Sequence, residues 1–259
     1  MLICIDAGHF LGTPGKRCLK SIDPNETREW VLNSRIADLV QEYLRDYRCE
    51  TMRADDISGE KNIGLSSRVA AANRAEADVY LSIHHNAGIC GGSGGGIVIY
   101  TAKNPKNEGG KLQEAVYRHT VANTGLRGNR AVPLGQADYY VLKHTQMPAV
   151  LGEFGFMDST TDTPVILTKE FAEQTAQGIV AALKEIYALE ERELTQEEIR
   201  LIVRQEMEKM EAERAVRTVS PWAEAGLREA KEKGITDATR PQSYATRQEV
   251  ALMINAAIK

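Results

Sequence analysis

The chain is 259 residues long, with 42% hydrophobic residues, 26% charged residues and a formal net charge of −4. That length and apolar content are enough for a catalytic domain of ordinary size plus a small appendage. The mildly acidic balance supplies no basic field for holding nucleic acid through its phosphates, and no stretch is long enough to span a bilayer.

The first residues, MLICIDAGHF, are apolar only briefly and lack a basic leader or a small-residue cleavage site, so they read as a first strand and not as a signal peptide. Cys4, Cys18, Cys49 and Cys90 are scattered singly, the pattern of reduced thiols and not of a disulfide framework. Both features point to synthesis and folding in the cytoplasm.

Strand-like and helical patterns then alternate. LICIDA is a strand, residues 25–46 a helix, CETMRA a strand, residues 64–75 a helix, and DVYLSIHH and GGIVIYTA two further strands. A helix over residues 106–123, short strands at DYYVLK and AVLGEF, and a helix with Phe171, Ile179, Leu183 and Ile186 on one face complete the region. This alternation predicts an α/β domain over residues 1–189, a mostly parallel twisted sheet with helices on both faces.

Residues 190–219 change to a dense mixture of Glu, Arg, Lys and Met, with Ile199, Val203, Met207 and Met210 as the apolar line. A charged helical linker is the preferred reading. A homodimer through this helix is the alternative, disfavoured because a coiled coil should sustain its heptads for three or more repeats. Residues 220–259 regain a core-like pattern: Ser220-Pro221 as cap and first helical residue, a helix to Lys233, a Gly-Ile turn, and a second helix from Thr246.

Ligands of open α/β sheets bind beyond the carboxyl ends of the strands, which directs attention to His9, His84 and Glu153, each placed at the end of a predicted strand. Glu29 joins them from the first turn of the helix after Asp23-Pro24-Asn25. Two imidazoles and a carboxylate can hold a catalytic zinc ion that keeps one position open. On that basis His9, Glu29 and His84 are candidate ligands and Glu153 a candidate general base. Successive side chains of a strand point to opposite faces, so His84 and His85 cannot both face one metal; alternation alone does not say which does.

Taken together and in order, IDAGH (residues 5–9), LSSRVAAAN (65–73), SIHHNA (82–87), YYVLKHTQMPAVL (139–151) and VLGEFGFMD (150–158) resemble the catalytic domain of zinc-dependent N-acetylmuramoyl-L-alanine amidases over about residues 1–187. The resemblance implies zinc bound by His9, Glu29 and His84, with Glu153 catalytic. Glu29 is preferred over Glu26 because Asn33, four residues on, completes an E-x-x-x-N pattern. It also implies hydrolysis of the amide between N-acetylmuramic acid and L-alanine of peptidoglycan by an endolysin or autolysin, acting at the wall after release through a holin or on lysis. Asn86, Arg68 and His85 are expected to touch substrate, with His85 otherwise closing the crevice wall. Gly152 and Gly155 are expected to let a substrate backbone approach, and the GGSGGG run after Cys90 to form a mobile loop. A non-catalytic peptidoglycan-binding protein and a zinc peptidase or deacetylase on the same scaffold are the competing readings. The last forty residues are similar to one S-layer-homology repeat, which implies a cell-wall-binding module; a small helical cap with Trp222 in its core is the alternative.

Overall fold

The computed structural model describes residues 1–193, 195–239, 241–242, 245 and 247–257. Two compact units make up the chain, Met1–Arg192 and Glu193–Lys259.

In the first unit, β1 (Leu2–Ala7), β2 (Glu50–Arg53), β3 (Val79–Asn86), β4 (Ile97–Thr101), β5 (Leu134–Gln136) and β6 (Ala149–Phe156) form one sheet in the order β2-β1-β3-β6-β4-β5. Strands β2, β1, β3 and β6 run parallel, while β4 is antiparallel to β6 and β5 parallel to β4. The sheet is mixed at one edge and parallel where the site lies. Central strands are apolar on both faces because both are covered. Ile3, Ile5, Leu81 and Ile83 face α1 (Glu29–Leu44), α3 (Gly109–Thr124) and α6 (Lys169–Tyr187), whereas Cys4, Tyr80 and Leu151 face α2 (Leu65–Arg74) and α4 (Tyr140–His144).

Helix α1 buries Leu32, Ile36, Val40 and Leu44, a four-residue repeat that keeps one stripe on the sheet. Helix α6 packs between α1 and α3. A Cβ at Gly178 would lie 2.7 Å from the Thr120 Cα, so α6 and α3 touch closely only because a glycine sits there.

Several expectations are corrected. The first helix begins at Glu29, because residues 23–27 form a turn: the Asp23 carboxylate accepts bonds from the Asn25 and Thr27 amides at 3.1 and 2.7 Å. DYYVLK is not a strand but contains helix α4, with Thr145 Oγ1 donating to the Val141 carbonyl at 2.8 Å. A short apolar run cannot be told from a buried helix by periodicity, and the edge strand β5 just before it carried too few apolar residues to read. Ser220-Pro221 lies in a turn, and the next helix, α8 (Glu224–Glu232), starts after Ala223. The GGSGGG segment is not free. Gly94, Gly95 and Gly96 amides donate to Thr161 Oγ1, Asn129 Oδ1 and Asp162 Oδ2 at 2.9, 2.9 and 2.7 Å.

The second unit contains α7 (Gln196–Ala215), α8 and α9 (Arg247–Ala257); Thr246, the expected start of the last helix, lies outside the described residues. Helix α7 opens on a capping box between Thr195 and Glu198. Neither α7 nor α8 buries a residue, and Trp222 is 88% exposed, which rules it out as the core of a helical cap.

Candidate metal centre

Three elements deliver one side chain each to the carboxyl end of the parallel strands. His9 follows β1 in a left-handed conformation (φ 69°), Glu29 opens α1, and His84 lies near the end of β3. Their ligand atoms lie within 4.8 Å of one another, and no other group of this kind occurs among the described residues. Glu29 Oε1 is 3.3 Å from His9 Nε2 and 3.1 Å from His84 Nδ1, and the two imidazole rings meet edge to face at 5.0 Å. Gly8 is the backbone condition for this packing. A Cβ there would lie 2.1 Å from the His84 ring, so only glycine lets the two imidazoles come together.

The donor set fits a divalent zinc ion. It comprises two partly exposed imidazoles and a fully buried carboxylate whose Oε2 accepts no hydrogen bond, with Lys16 Nζ 3.4 Å away. A buried carboxylate oxygen without a donor carries a desolvation cost that a cation would remove. Burial would raise the Glu29 pKa, but the bonds and charges of His84 and His9 outweigh it and hold the carboxyl well below the usual range. For His84, burial is likewise outweighed by Glu29, and its pKa is raised.

Glu153 sits beside His84 in the β3–β6 register, on the same face. It lies inside β6 and does not end it, since the strand continues to Phe156. Its Oε2 is buried and accepts no hydrogen bond, and burial, with the Glu29 charge behind it, raises its pKa. A carboxylate of that kind is suited to taking and returning a proton.

Glu26, the alternative to Glu29, points elsewhere: it pairs with Arg17 and Lys20 at 3.2 and 3.6 Å and is absent from the cluster. Two expected substrate contacts are corrected. Arg68 is buried in the unit, where its guanidinium pairs with Asp6 and donates to the carbonyls of Ile63, Ala7 and His9, each at 2.7 Å, leaving no surface for a ligand. His85 is buried on the α1 side. Its Nδ1 donates to Asn33 Oδ1 at 2.8 Å while Asn33 Nδ2 donates to the Gly8 carbonyl at 3.0 Å, and burial pushes its pKa down to about 3. The neutral ring therefore locks α1 to the strand ends. Asn86 is half-buried at the end of β3, with Oδ1 accepting from the Ala87 amide.

Gly152 and Gly155 do not serve a substrate backbone. A Cβ on Gly152 would meet the Phe154 ring at 2.4 Å and one on Gly155 would meet Ile166 at 2.7 Å, so both make room for the core. Cys90 is exposed on its loop outside the cluster. His119 pairs with Glu185 at 2.8 Å and His144 stacks on Tyr140 at 4.3 Å. Sequence reasoning missed Lys16, Asp6 and Ser82, whose Oγ donates to Asp6 Oδ2 at 2.9 Å. A lysine in a loop and a small hydroxyl in a strand carry no signal of their own.

Residues 3–185 match the protein family described as Amidase_3, N-acetylmuramoyl-L-alanine amidase. The sporulation-specific N-acetylmuramoyl-L-alanine amidase of Bacillus subtilis (strain 168) is 28% identical over 190 residues, 72% of this chain and 68% of that protein. The endolysin of Bacillus phage SPP1 is 31% identical over 134 residues, 49% of this chain and 47% of its own length. Among solved structures, an N-acetylmuramoyl-L-alanine amidase from Clostridium difficile 630 superposes with a TM-score of 0.65 at 24% identity, covering 72% of this chain and 96% of that one.

Proposed function

The chain belongs to the N-acetylmuramoyl-L-alanine amidase family, and from that premise we propose a zinc-dependent hydrolase that cuts the amide between N-acetylmuramic acid and L-alanine in peptidoglycan and so lyses the cell wall. His9, Glu29 and His84 would hold the ion. The observation that carries the reading is the convergence of those three side chains within 4.8 Å, next to the in-register Glu153.

When bound, zinc supplies Lewis acidity, polarising the scissile carbonyl and making water acidic enough to attack at neutral pH. The protein's own groups do the rest. Glu29, ionised and buried, supplies the negative charge that holds the cation, while Gly8 and Arg68 keep His9 and His84 converging. Glu153 Oε2 accepts the proton of the attacking water and returns it to the leaving amine of L-alanine; its raised pKa brings proton affinity closer to the working pH. Asn86, half-buried at the end of β3, is assigned to substrate.

Peptidoglycan is thus the partner. The last unit is assigned to wall polysaccharide, a role supported by the exposure of Trp222 and by the sequence similarity to one S-layer-homology repeat. A pair of copies joined through α7 would add avidity to a single weak repeat. No helix among the described residues is long and apolar enough to cross a membrane, which accords with action at the wall after release by a holin or on lysis.

Two treatments test the chemistry together. Chelation should abolish turnover and zinc should restore it. Glu153→Ala should bind zinc and fold as the parent does, while turnover falls about 10²- to 10⁴-fold. An active Glu153→Ala would remove that residue from the mechanism, and activity in the metal-stripped protein would remove the ion.

A further inference from the structure

Helix α7 exposes an apolar stripe that nothing described in the chain covers. Ile199, Val203, Met207 and Met210 are 47%, 52%, 65% and 53% exposed. At 100° per residue all four fall within a quarter of the helix circumference. A run of this kind on a twenty-residue helix with no buried residue is costly to leave in water, and a unit of this size has little other core to hold it.

The charges flanking the stripe say what covers it. Along one edge lie Arg200 in the first half of the helix and Glu211 in the second, both exposed. In an antiparallel pair of helices related by a two-fold axis, each edge faces its own counterpart with direction reversed. Arg200 then meets Glu211 of the second copy, and the pair occurs twice. The same register sets Ile199 over Met210 and Val203 over Met207. A parallel pair brings that edge against the opposite one, where Glu206 and Glu213 come up beside Glu211 and like charges oppose.

We propose that α7 is the seat of a homodimer, two copies pairing antiparallel with Arg200–Glu211 across the seam. The inference rests on self-association through α7 and adds its direction and register. The consequence is two catalytic units and two terminal modules in one assembly, so that one wall surface can be held at more than one point.

Sedimentation equilibrium on the full-length protein, in the parent and two variants, tests it. The parent should approach twice the 28.6 kDa of one chain as concentration rises. Arg200→Glu, which sets glutamate against glutamate at both ends of the seam, should raise the dissociation constant at least about tenfold. Adding Glu211→Arg to that variant should restore the parent value, because an antiparallel seam regains its pairs when the charges are exchanged. A parent that stays monomeric overturns the dimer altogether. A dimer that the single variant leaves intact, or that the double variant fails to restore, overturns the antiparallel register while leaving self-association standing. Amide hydrolysis on a soluble substrate, measured per chain, should be equal in all three proteins; it reports separately on the catalytic reading.

Discussion

Glu153 carries a buried carboxylate oxygen with no donor, and its pKa is raised because burial opposes its charge. A carboxyl whose folded pKa lies above its unfolded value of about 4.3 favours folding while protonated, and that support is lost as pH rises through the folded value. In metal-free protein, Glu153→Gln should therefore raise the unfolding midpoint by a few degrees, about 1 kcal/mol, at pH 8 and by less at pH 5. Calorimetry at the two pH values checks both size and sign; a less stable variant at pH 8 would mean the carboxylate has a favourable partner. Arg68 has the opposite character. It spends its whole guanidinium on Asp6 and three carbonyls, one of them His9's. Arg68→Met should cost about 3–5 kcal/mol by stranding the Asp6 charge. It should also weaken zinc binding by about 10- to 100-fold, as losses of outer support at metal sites do, with Arg68→Lys intermediate; unchanged zinc affinity would confine Arg68 to the core. At this scale the side chains that converge were legible and their supports were not. His9, Glu29 and His84 are residue types with few other reasons to cluster. Arg68 looks like any polar residue at the start of a helix until its burial is known, and nothing in the sequence separates that from a substrate contact.

Helix α1 shows how a turn sets a candidate ligand. Asp23 accepts bonds from the Asn25 and Thr27 amides, Glu26 turns left-handed at φ 50°, and only then does the helix begin, with Glu29 first and directed inward. Burial would raise the Asp23 pKa, yet the Thr27 and Asn25 bonds lower it overall. Its support is thus present above the unfolded value of about 3.9 and is lost as pH falls through the depressed one. Asp23→Ala should destabilise the protein by about 1–2 kcal/mol at pH 7, with the gap to the parent closing in acid; denaturant titrations at pH 7 and 3 decide it. The Asp-Pro-Asn turn is visible in the sequence, but apolar spacing says nothing about where the first helical turn closes, so it extends the helix back to Asn25. The long elements were legible for the opposite reason: β1 and β3 are buried on both faces and α6 holds one stripe over nineteen residues. Helix α4, five residues long, has no period to read.

At the scale of the molecule, one unit owns a core, and among the described residues the other buries none. The first unit buries two apolar clusters on the two faces of its sheet, so the candidate site at the end of the parallel strands is built on a packed core. The second exposes Ile199, Met207, Trp222 and Leu252, which the core-like spacing of its sequence did not foretell: amphipathic spacing promises a buried face without saying whose surface buries it. The converging His9, Glu29 and His84, with Glu153 beside them, are proposed to cut one particular bond. Purified Gram-positive peptidoglycan digested with the zinc-loaded protein, and assayed in parallel for new amino-terminal L-alanine and new reducing ends, addresses it directly. The account predicts free L-alanine termini without reducing ends. Reducing ends, a different new amino terminus, or no product from several wall types would contradict it.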